Sequence, residues 1–409
     1  MNRKLTVLIL AAGIATAFGV WQYLQSQSTS VVATKYDAGA SDTEVKVGNI
    51  VPYSGPASAY GQIGKAISAY FKGVNANGGI NGRQITIISL DDGYSPPKTV
   101  EQARKLVEQE RVLFLAATLG TPTNSAIHAY MNKKKVPHLF VNTGAHKWGD
   151  PTGNPWTMGL QPDYQVEGKI YAAHILANNP NAKIAILYQN DDYGKDYVKG
   201  MEDGLGDKKG MIVAKASYET TDPTVSNQMA TLKGSGADTF FNVTTPKWAA
   251  QAIKGAAELG WKPTHYLNSV SSSVGSVMVP AGAENGIGVI SSNYFKDPAD
   301  PAWANDAGFI AYKAWMEKNM PGENIAEGFF TSGYIHAAAI EKTIQQAGDD
   351  LTRKNIMKQA ASLDFGNGML LPGVKFKTSA TDFFPIENKQ LMRWNGKSWE
   401  LFGDVLGPK

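Results

Sequence analysis

The sequence predicts an α/β fold made of two doubly wound parallel-sheet lobes, and three observations carry that reading. From Val45 onward a short β-branched run, a turn rich in Gly, Pro or hydroxyls, and an amphipathic segment of helix length recur in that order. This is the pattern of βαβ units around a parallel sheet. After a Gly/Pro/Trp-rich interval over 144–163 the alternation starts again, so two similar halves are expected. The chain has 409 residues, more than the ~100–200 of one compact domain, which calls for two cores.

In the first half, strands are expected over 45–51, 84–90, 112–116 and 138–142, with helices over 61–75, 97–110 and 122–134 between them. Asn77-Gly78-Gly79-Ile80-Asn81-Gly82 ends the first helix, because glycine and asparagine accept the left-handed backbone of a helix C-terminus. The second half reads as helix 164–177, strand 183–188, helix 194–205, strand 212–217, helix 225–233, strand 238–243, helix 246–259 and strand 265–268. A strand over 286–292 leads out of it. Helical segments over 301–319, 328–347 and 352–361 follow without a comparable strand, and are expected to pack back on the first half. In the tail, 390–394 and 398–402 flank Asn395-Gly396, the signal of a type I′ hairpin and so of an antiparallel edge.

Composition narrows function. Lys+Arg 39 against Asp+Glu 36 leaves a net charge of +3, and the longest basic run is Lys133-Lys134-Lys135, so nucleic acid is not an expected partner. With Cys 0 there is no disulfide framework, thiolate nucleophile, thiolate zinc site or lipidated cysteine. His128, His138, His146, His174, His265 and His336 are scattered without metal-ligand spacing, so no metal is expected. There is no Gly-x-Ser-x-Gly elbow, dinucleotide fingerprint or phosphate loop. No cofactor and no catalytic dyad are therefore expected, and the chain reads as a non-enzyme. Asp91-Asp92-Gly93 does not fit a calcium loop and reads as a solvated βα turn.

Arg3 and Lys4 precede a mostly apolar run over 5–20, the arrangement of a secretory signal, with small residues Val31-Val32-Ala33 where a peptidase would cut. Residues 1–33 are read as a cleaved signal peptide and the rest as exported. The alternative is an uncleaved inner-membrane anchor over 5–24, since Trp21, Tyr23 and Leu24 extend the run toward the ~20 residues that span a bilayer.

In doubly wound sheets, ligands bind where the βα turns gather at the carboxyl ends of the strands. Thr121-Pro122 and Thr245-Pro246 read there as helix caps, and such helix N-termini suit an anionic group such as a carboxylate. Capping alone would also explain both threonines. Aromatic residues Tyr53, Tyr60, Trp148, Trp156, Tyr193 and Trp248 stand in the same turns, as contact surface or as core. Hydroxyls, helix ends and aromatic faces without a dyad describe a receptor for a small molecule.

The run from Val47 to Ala57, Tyr60-Gly61, Gly78-Gly79-Ile80-Asn81-Gly82-Arg83, Asp91-Asp92, Lys105-Leu106-Val107, Asp191-Asp192-Tyr193-Gly194 and the block from Asp238 to Pro246 carry a resemblance. Over 45–402 the chain resembles the type I periplasmic solute-binding proteins of ATP-binding-cassette importers, and within them the leucine/isoleucine/valine-binding family. The resemblance implies two lobes joined by a three-stranded hinge, with crossings near Gly159, Ser291 and Pro385. The first lobe would comprise 45–159 with 292–385, and the second 160–291 with 386–409. It also implies a membrane permease as partner, periplasmic localisation and a monomer. Matched position by position, Tyr60 falls at the cleft wall, Thr121 where a hydroxyl holds the ligand carboxylate, Gly144-Ala145-His146 in the loop completing that site, and Tyr193 and Thr244 on the second lobe's wall.

Members that take α-amino acids hold the ammonium with acidic side chains, where this chain has Gln161 and the run Ser269-Val270-Ser271-Ser272-Ser273. Leaving a buried ammonium without a carboxylate would cost several kcal/mol. The expected ligand is an organic acid, its carboxylate at Thr121 and the 144–146 loop and its apolar or aromatic body on Tyr60, Trp156 and Tyr193. An amino acid or short amide stays open as the alternative, with Asp191 or Glu219 supplying the charge. The leading role is an importer's solute-binding subunit; the alternatives are a tethered ligand sensor and an enzyme, for which no nucleophile and base are found.

Overall fold

The computed structural model describes residues 35–408. The segment read as signal peptide or anchor lies outside the described residues. Among the described residues, no helix is long and apolar enough to cross a membrane.

Two parallel sheets with the same winding organise the chain. The first contains β1 (Glu44–Val51), β2 (Gln84–Asp91), β3 (Phe114–Ala116), β4 (His138–Val141) and β5 (Thr157–Gly159), in the order β2-β1-β3-β4-β5. Between its strands run α1 (Gly61–Ala76), α2 (Pro96–Arg104) and α3 (Thr121–Lys134). The second contains β6 (Ile184–Gln189), β7 (Ile212–Tyr218), β8 (Thr239–Val243), β9 (Thr264–Leu267) and β10 (Ile290–Asn293), in the order β7-β6-β8-β9-β10. Its helices are α4 (Tyr164–Asn178), α5 (Asp192–Leu205), α6 (Ser226–Gly234) and α7 (Pro246–Glu258). Read in chain order, both sheets are wound 2-1-3-4-5, so each has its switch point between its first and third strands.

The chain passes between the two cores three times. It leaves β5 for α4, leaves β10 for Tyr294, and returns from Phe383 and Ile386 to an antiparallel pair, β13 (Lys389–Trp394) and β14 (Trp399–Leu406), on the edge of the second sheet. The helices α8 (Ala307–Asn319), α9 (Gly328–Ala347) and α10 (Arg353–Ala360) place Tyr312, Ile335, Ile340 and Ile356 in one core with Val47, Val51, Phe71 and Phe114. Each such side chain contributes ~1.5–3 kcal/mol on burial. The second core gathers Tyr171, Ile186, Tyr197 and Phe241. A two-stranded ribbon, β11 (Asp364–Phe365) with β12 (Phe376–Lys377), stacks Phe365 on Phe376.

Local chemistry moves several expected boundaries. The helix over 97–110 is interrupted after Arg104 by a wide turn, Lys105–Gln109, closed by Glu110 N–H on Lys105 O at 3.0 Å, which turns Leu106 and Val107 into the core. The helix over 301–319 is two pieces, because Asp300 and Asp306 each cap a separate start by accepting from Ala302 N and Phe309 N at 2.9 Å. The strand expected over 286–292 shortens to β10, since Ala283–Gly286 is a 3-10 turn. The tail hairpin forms but is not a two-residue type I′ turn. Trp394 pairs with Trp399, and Asn395 Oδ1 takes the N–H groups of Lys397 and Ser398 at 2.8 and 2.9 Å, making a four-residue loop in which Gly396 has φ 99°. Asp91 and Asp92 do form the turn after β2, but Asp92 is fully buried on Thr99 Oγ1 at 2.7 Å rather than solvated.

Candidate functional site

One cavity lies where the switch points of the two sheets face each other, and the space between its walls is about 810 Å³ out to the open mouth. From the first sheet's side come Tyr60, Tyr94, Gly120, Thr121 and Asn142. From the second come Tyr193 after β6, Thr245 after β8, and Ser269, Val270, Ser272 and Ser273 after β9. The crossings add Gln161, Tyr164, Asn293, Phe295 and Asp297.

Thr121 opens α3 behind Gly120, whose φ of 97° lets the chain turn sharply from β3 into the helix. Its hydroxyl pairs with Thr143 Oγ1 at 2.5 Å, so it does not cap the helix as expected. Thr245 does not cap either, since its hydroxyl and N–H are engaged by Gln189 and Tyr218. The first turn of α3 still presents N–H groups that have no intrahelical acceptor.

Beside Thr121, Asn142 directly follows β4 at 4% exposure. Its Oδ1 accepts from Gln161 Nε2 at 2.5 Å, and its Nδ2 has no hydrogen-bond partner among the described residues. Across the cavity Tyr193, 3% exposed in the first turn of α5, likewise has a hydroxyl without a partner there. Burial pushes the Tyr193 phenol well above its ordinary range, so it stays a neutral donor. Two buried, unpaired donors on opposite sides of one cavity are costly unless something bound accepts from them.

Asp297 is the one acid in the wall, and among the described residues no lysine, arginine or histidine lines it. Burial raises the Asp297 carboxyl to about 6. Below the wall Glu167, fully buried, accepts from Tyr171 OH at 2.8 Å, Tyr197 OH at 3.0 Å and both Ser269 N and Ser269 Oγ at 2.7 Å, and is paired with Lys389 Nζ. This ion pair, between the first and third crossings, holds Ser269 in place.

Contacts tie the two sides together. Tyr60 OH donates to Val270 O at 3.1 Å and its ring meets Phe329 at 4.9 Å. Glu327, at the start of α9, accepts from Ser273 Oγ at 2.7 Å and Ser276 Oγ at 2.5 Å. Lys147 Nζ reaches Asp192 at 2.6 Å, and His146 N–H reaches Asp196 at 2.9 Å.

Of the residues expected from sequence, Tyr60, Thr121, Gln161, Tyr193 and Ser269 share this wall. Six others lie outside it. Trp156 precedes β5, at the amino end of the sheet, where its O accepts from His138 N at 2.8 Å. Gly144 O takes Tyr164 N–H at 2.8 Å. Ala145 is buried with its N–H toward Thr143 Oγ1 at 3.3 Å. His146 turns to Asp163 at 2.5 Å with 62% of its side chain exposed. Thr244 is buried on Asn242 Oδ1 at 2.6 Å, one residue short of Thr245, and Ser271 is buried on Thr244 O at 2.5 Å. Asp191 caps α5 through Tyr193 N at 2.9 Å, and Glu219 is exposed on Asn190.

The sequence reading missed Asn142, Tyr94, Thr245 as a wall residue, and Asp297. Asn142 had a signal, a polar residue directly after the buried apolar run Leu139-Phe140-Val141. Asp297 had none, because the segment after β10 reads only as an exit.

Comparison with known proteins decides the family. The family model described as periplasmic binding protein matches residues 44–398. The chain belongs to that family. A curated relative, Leu/Ile/Val-binding protein homolog 7 of Brucella abortus, is 23% identical over 389 residues, covering 92% of this chain and 96% of its own. The solved structure of a branched-chain amino acid transporter protein from Thermus thermophilus with bound valine superposes with a TM-score of 0.81 at 16% identity, covering 90% of this chain and 98% of its own. A solute-binding protein from R. palustris in complex with benzoate gives 0.76 at 19% identity, with the same coverages of 90% and 98%. The chain is thus a type I periplasmic binding protein of the leucine/isoleucine/valine-binding type, with two lobes and the cavity between them. The family comprises solute-binding components of importers in the periplasm, not enzymes.

Proposed function

We propose that this periplasmic binding protein closes its lobes on a small organic acid with an apolar or aromatic body and delivers it, as a monomer, to the permease of an ATP-driven importer. The lobes would be 45–159 with 292–385 and 160–291 with 386–409. The observation that carries the reading is the pair of unpaired buried donors, Asn142 Nδ2 and Tyr193 OH, on residues that line one cavity together with the N-terminus of α3. A carboxylate supplies the acceptors those groups lack, and the helix end favours its charge. Tyr60, Tyr94, Tyr164, Phe295 and Phe329 supply the aromatic surface. The benzoate-bound neighbour supports a carboxylate without an ammonium in this fold.

A branched-chain amino acid is the second reading, favoured by the Brucella relative and the valine-bound neighbour. Against it, the wall around Thr121 and Asn142 is neutral, with Gln161, Ser269 and Thr245 where an α-ammonium would need an acid. Thermal shifts of the chain from Thr34 onward, against free amino acids, short amides, and aliphatic and aromatic carboxylates, separate the two. Ligand at 100 times its dissociation constant stabilises by ~2.7 kcal/mol. A response to carboxylates lacking an amine is expected, with at least about tenfold weaker binding in Tyr193→Phe. A response confined to amino acids would sink the organic-acid reading.

A further inference from the structure

We propose that Asp297 is a specificity-determining residue at the far end of the cavity, accepting a hydrogen bond from a hydroxyl or ammonium on the ligand, opposite its carboxylate. The inference rests on the organic-acid reading and extends it from one end of the ligand to both.

Asp297 is 9% exposed and lines the same cavity as Thr121 and Tyr193. Backbone N–H groups of Ala299 and Trp399 reach its two oxygens at 3.0 Å each. A carboxylate accepts about four hydrogen bonds, so acceptor capacity remains. No cation balances it among the described residues. The neighbouring Lys296 is turned away to Asp306 at 2.5 Å and to Gly368 O at 2.7 Å. A buried carboxylate without a cationic partner, in the wall of a binding cavity, marks a place where a bound group completes the charge or the hydrogen bonding.

Its position sets the shape of that ligand. Asp297 is tied to Trp399 on β14, whereas Tyr193 follows β6, and four strands, β13, β10, β9 and β8, lie between those two in the sheet. Those intervening strands set the elements that carry the two side chains apart along the sheet, while both residues line the one cavity. The donors at Asn142 and Tyr193 therefore read one end of the ligand and Asp297 the other, with Tyr60 and Phe329 in contact on the same cavity's wall. An apolar tip pressed against Asp297 would strip water from the carboxylate and return nothing, so plain acids are rejected as well as donor-bearing ones accepted.

Calorimetric titration of two matched pairs tests this: 3-phenylpropanoate against 3-(4-hydroxyphenyl)propanoate, and hexanoate against 6-aminohexanoate. In the unmodified protein the donor-bearing member of at least one pair is expected to bind about tenfold or more tightly than its plain partner. The hydroxyl and amine arms show which donor is read. Asp297→Asn, isosteric and checked for an unchanged melting profile, should shrink that preference to about threefold or less. Equal or tighter binding of the plain member in both pairs overturns the role of Asp297, and needs no variant to show it. A preference that survives in Asp297→Asn overturns it too. Failure of all four acids to bind, while amino acids bind, overturns the organic-acid reading and the inference with it.

Discussion

Replacing Lys389 by methionine probes the support beneath the cavity. In the native protein Glu167 and Lys389 are 0% and 2% exposed at their side chains. Burial pushes the Lys389 ammonium down from its ordinary range, with Glu167 opposing that shift. Lys389→Met leaves Glu167 buried with only Tyr171, Tyr197 and Ser269 as donors. Breaking one half of such a pair costs about 3–5 kcal/mol. The cost comes from a buried charge stripped of its partner, so removing that charge should recover the loss. Glu167→Gln added to Lys389→Met removes the orphan charge and should restore most of the stability at all pH values. Urea unfolding followed by tryptophan fluorescence between pH 5 and 8 measures all three proteins. A loss under about 1 kcal/mol, or no recovery in the double variant, would refute a buried, coupled pair.

Two further outcomes follow from the same structure. Glu327→Ala removes the acceptor that Ser273 and Ser276 share across the cavity, so the closed form loses two charge-assisted bonds, and affinity for whichever ligand binds should fall about tenfold with a larger scattering radius in the bound state; unchanged values would take Glu327 out of closure. His265 is held neutral, burial pushing it down to about 3, so the unfolded chain takes its proton first and stability is lost as pH falls from ~6.5 toward that value, by about 1.4 kcal/mol per unit. His265→Gln should flatten the acid limb of the urea-derived stability curve by that one proton, and an unaltered slope would contradict the burial.

The winding of both halves was legible in the sequence because buried parallel strands and amphipathic helices announce themselves by period and by the turns between them. The strand order, identical in the two sheets, followed from topology rather than from any residue. Errors came where one side chain redirects a backbone: Asp306 restarting a helix, Asn395 taking two N–H groups of its own hairpin, Gly120 standing at the cap instead of Thr121. Residues of the cavity wall were legible where they sit in βα turns, as Tyr60, Thr121 and Tyr193 do. Neighbours such as Thr244 and Thr245 exchange places, because a one-residue step at a strand end turns the side chain from core to cavity. Asp297 was illegible because only the fold brings the segment after β10 against the cavity.

The division of donors between the lobes bears on how such a cavity works. Asn142 and the α3 terminus belong to the first side, and Tyr193, Ser269 and Thr245 to the second. On the proposed organic-acid reading neither side alone would satisfy a carboxylate, so a ligand would gain its full set of hydrogen bonds only when the sides meet, and that difference in affinity would shift the protein toward closure. The same division suits delivery. With an organic acid bound, as proposed, the donors at its carboxylate carry no formal charge, so separating the sides breaks hydrogen bonds charged on the ligand's side only and pulls no ion pair apart. A lysine or arginine in place of Asn142 would hold an acid more firmly but would also hold it after opening. A wall of amide, phenol and helix-end donors therefore fits a protein that must release its ligand once the lobes part.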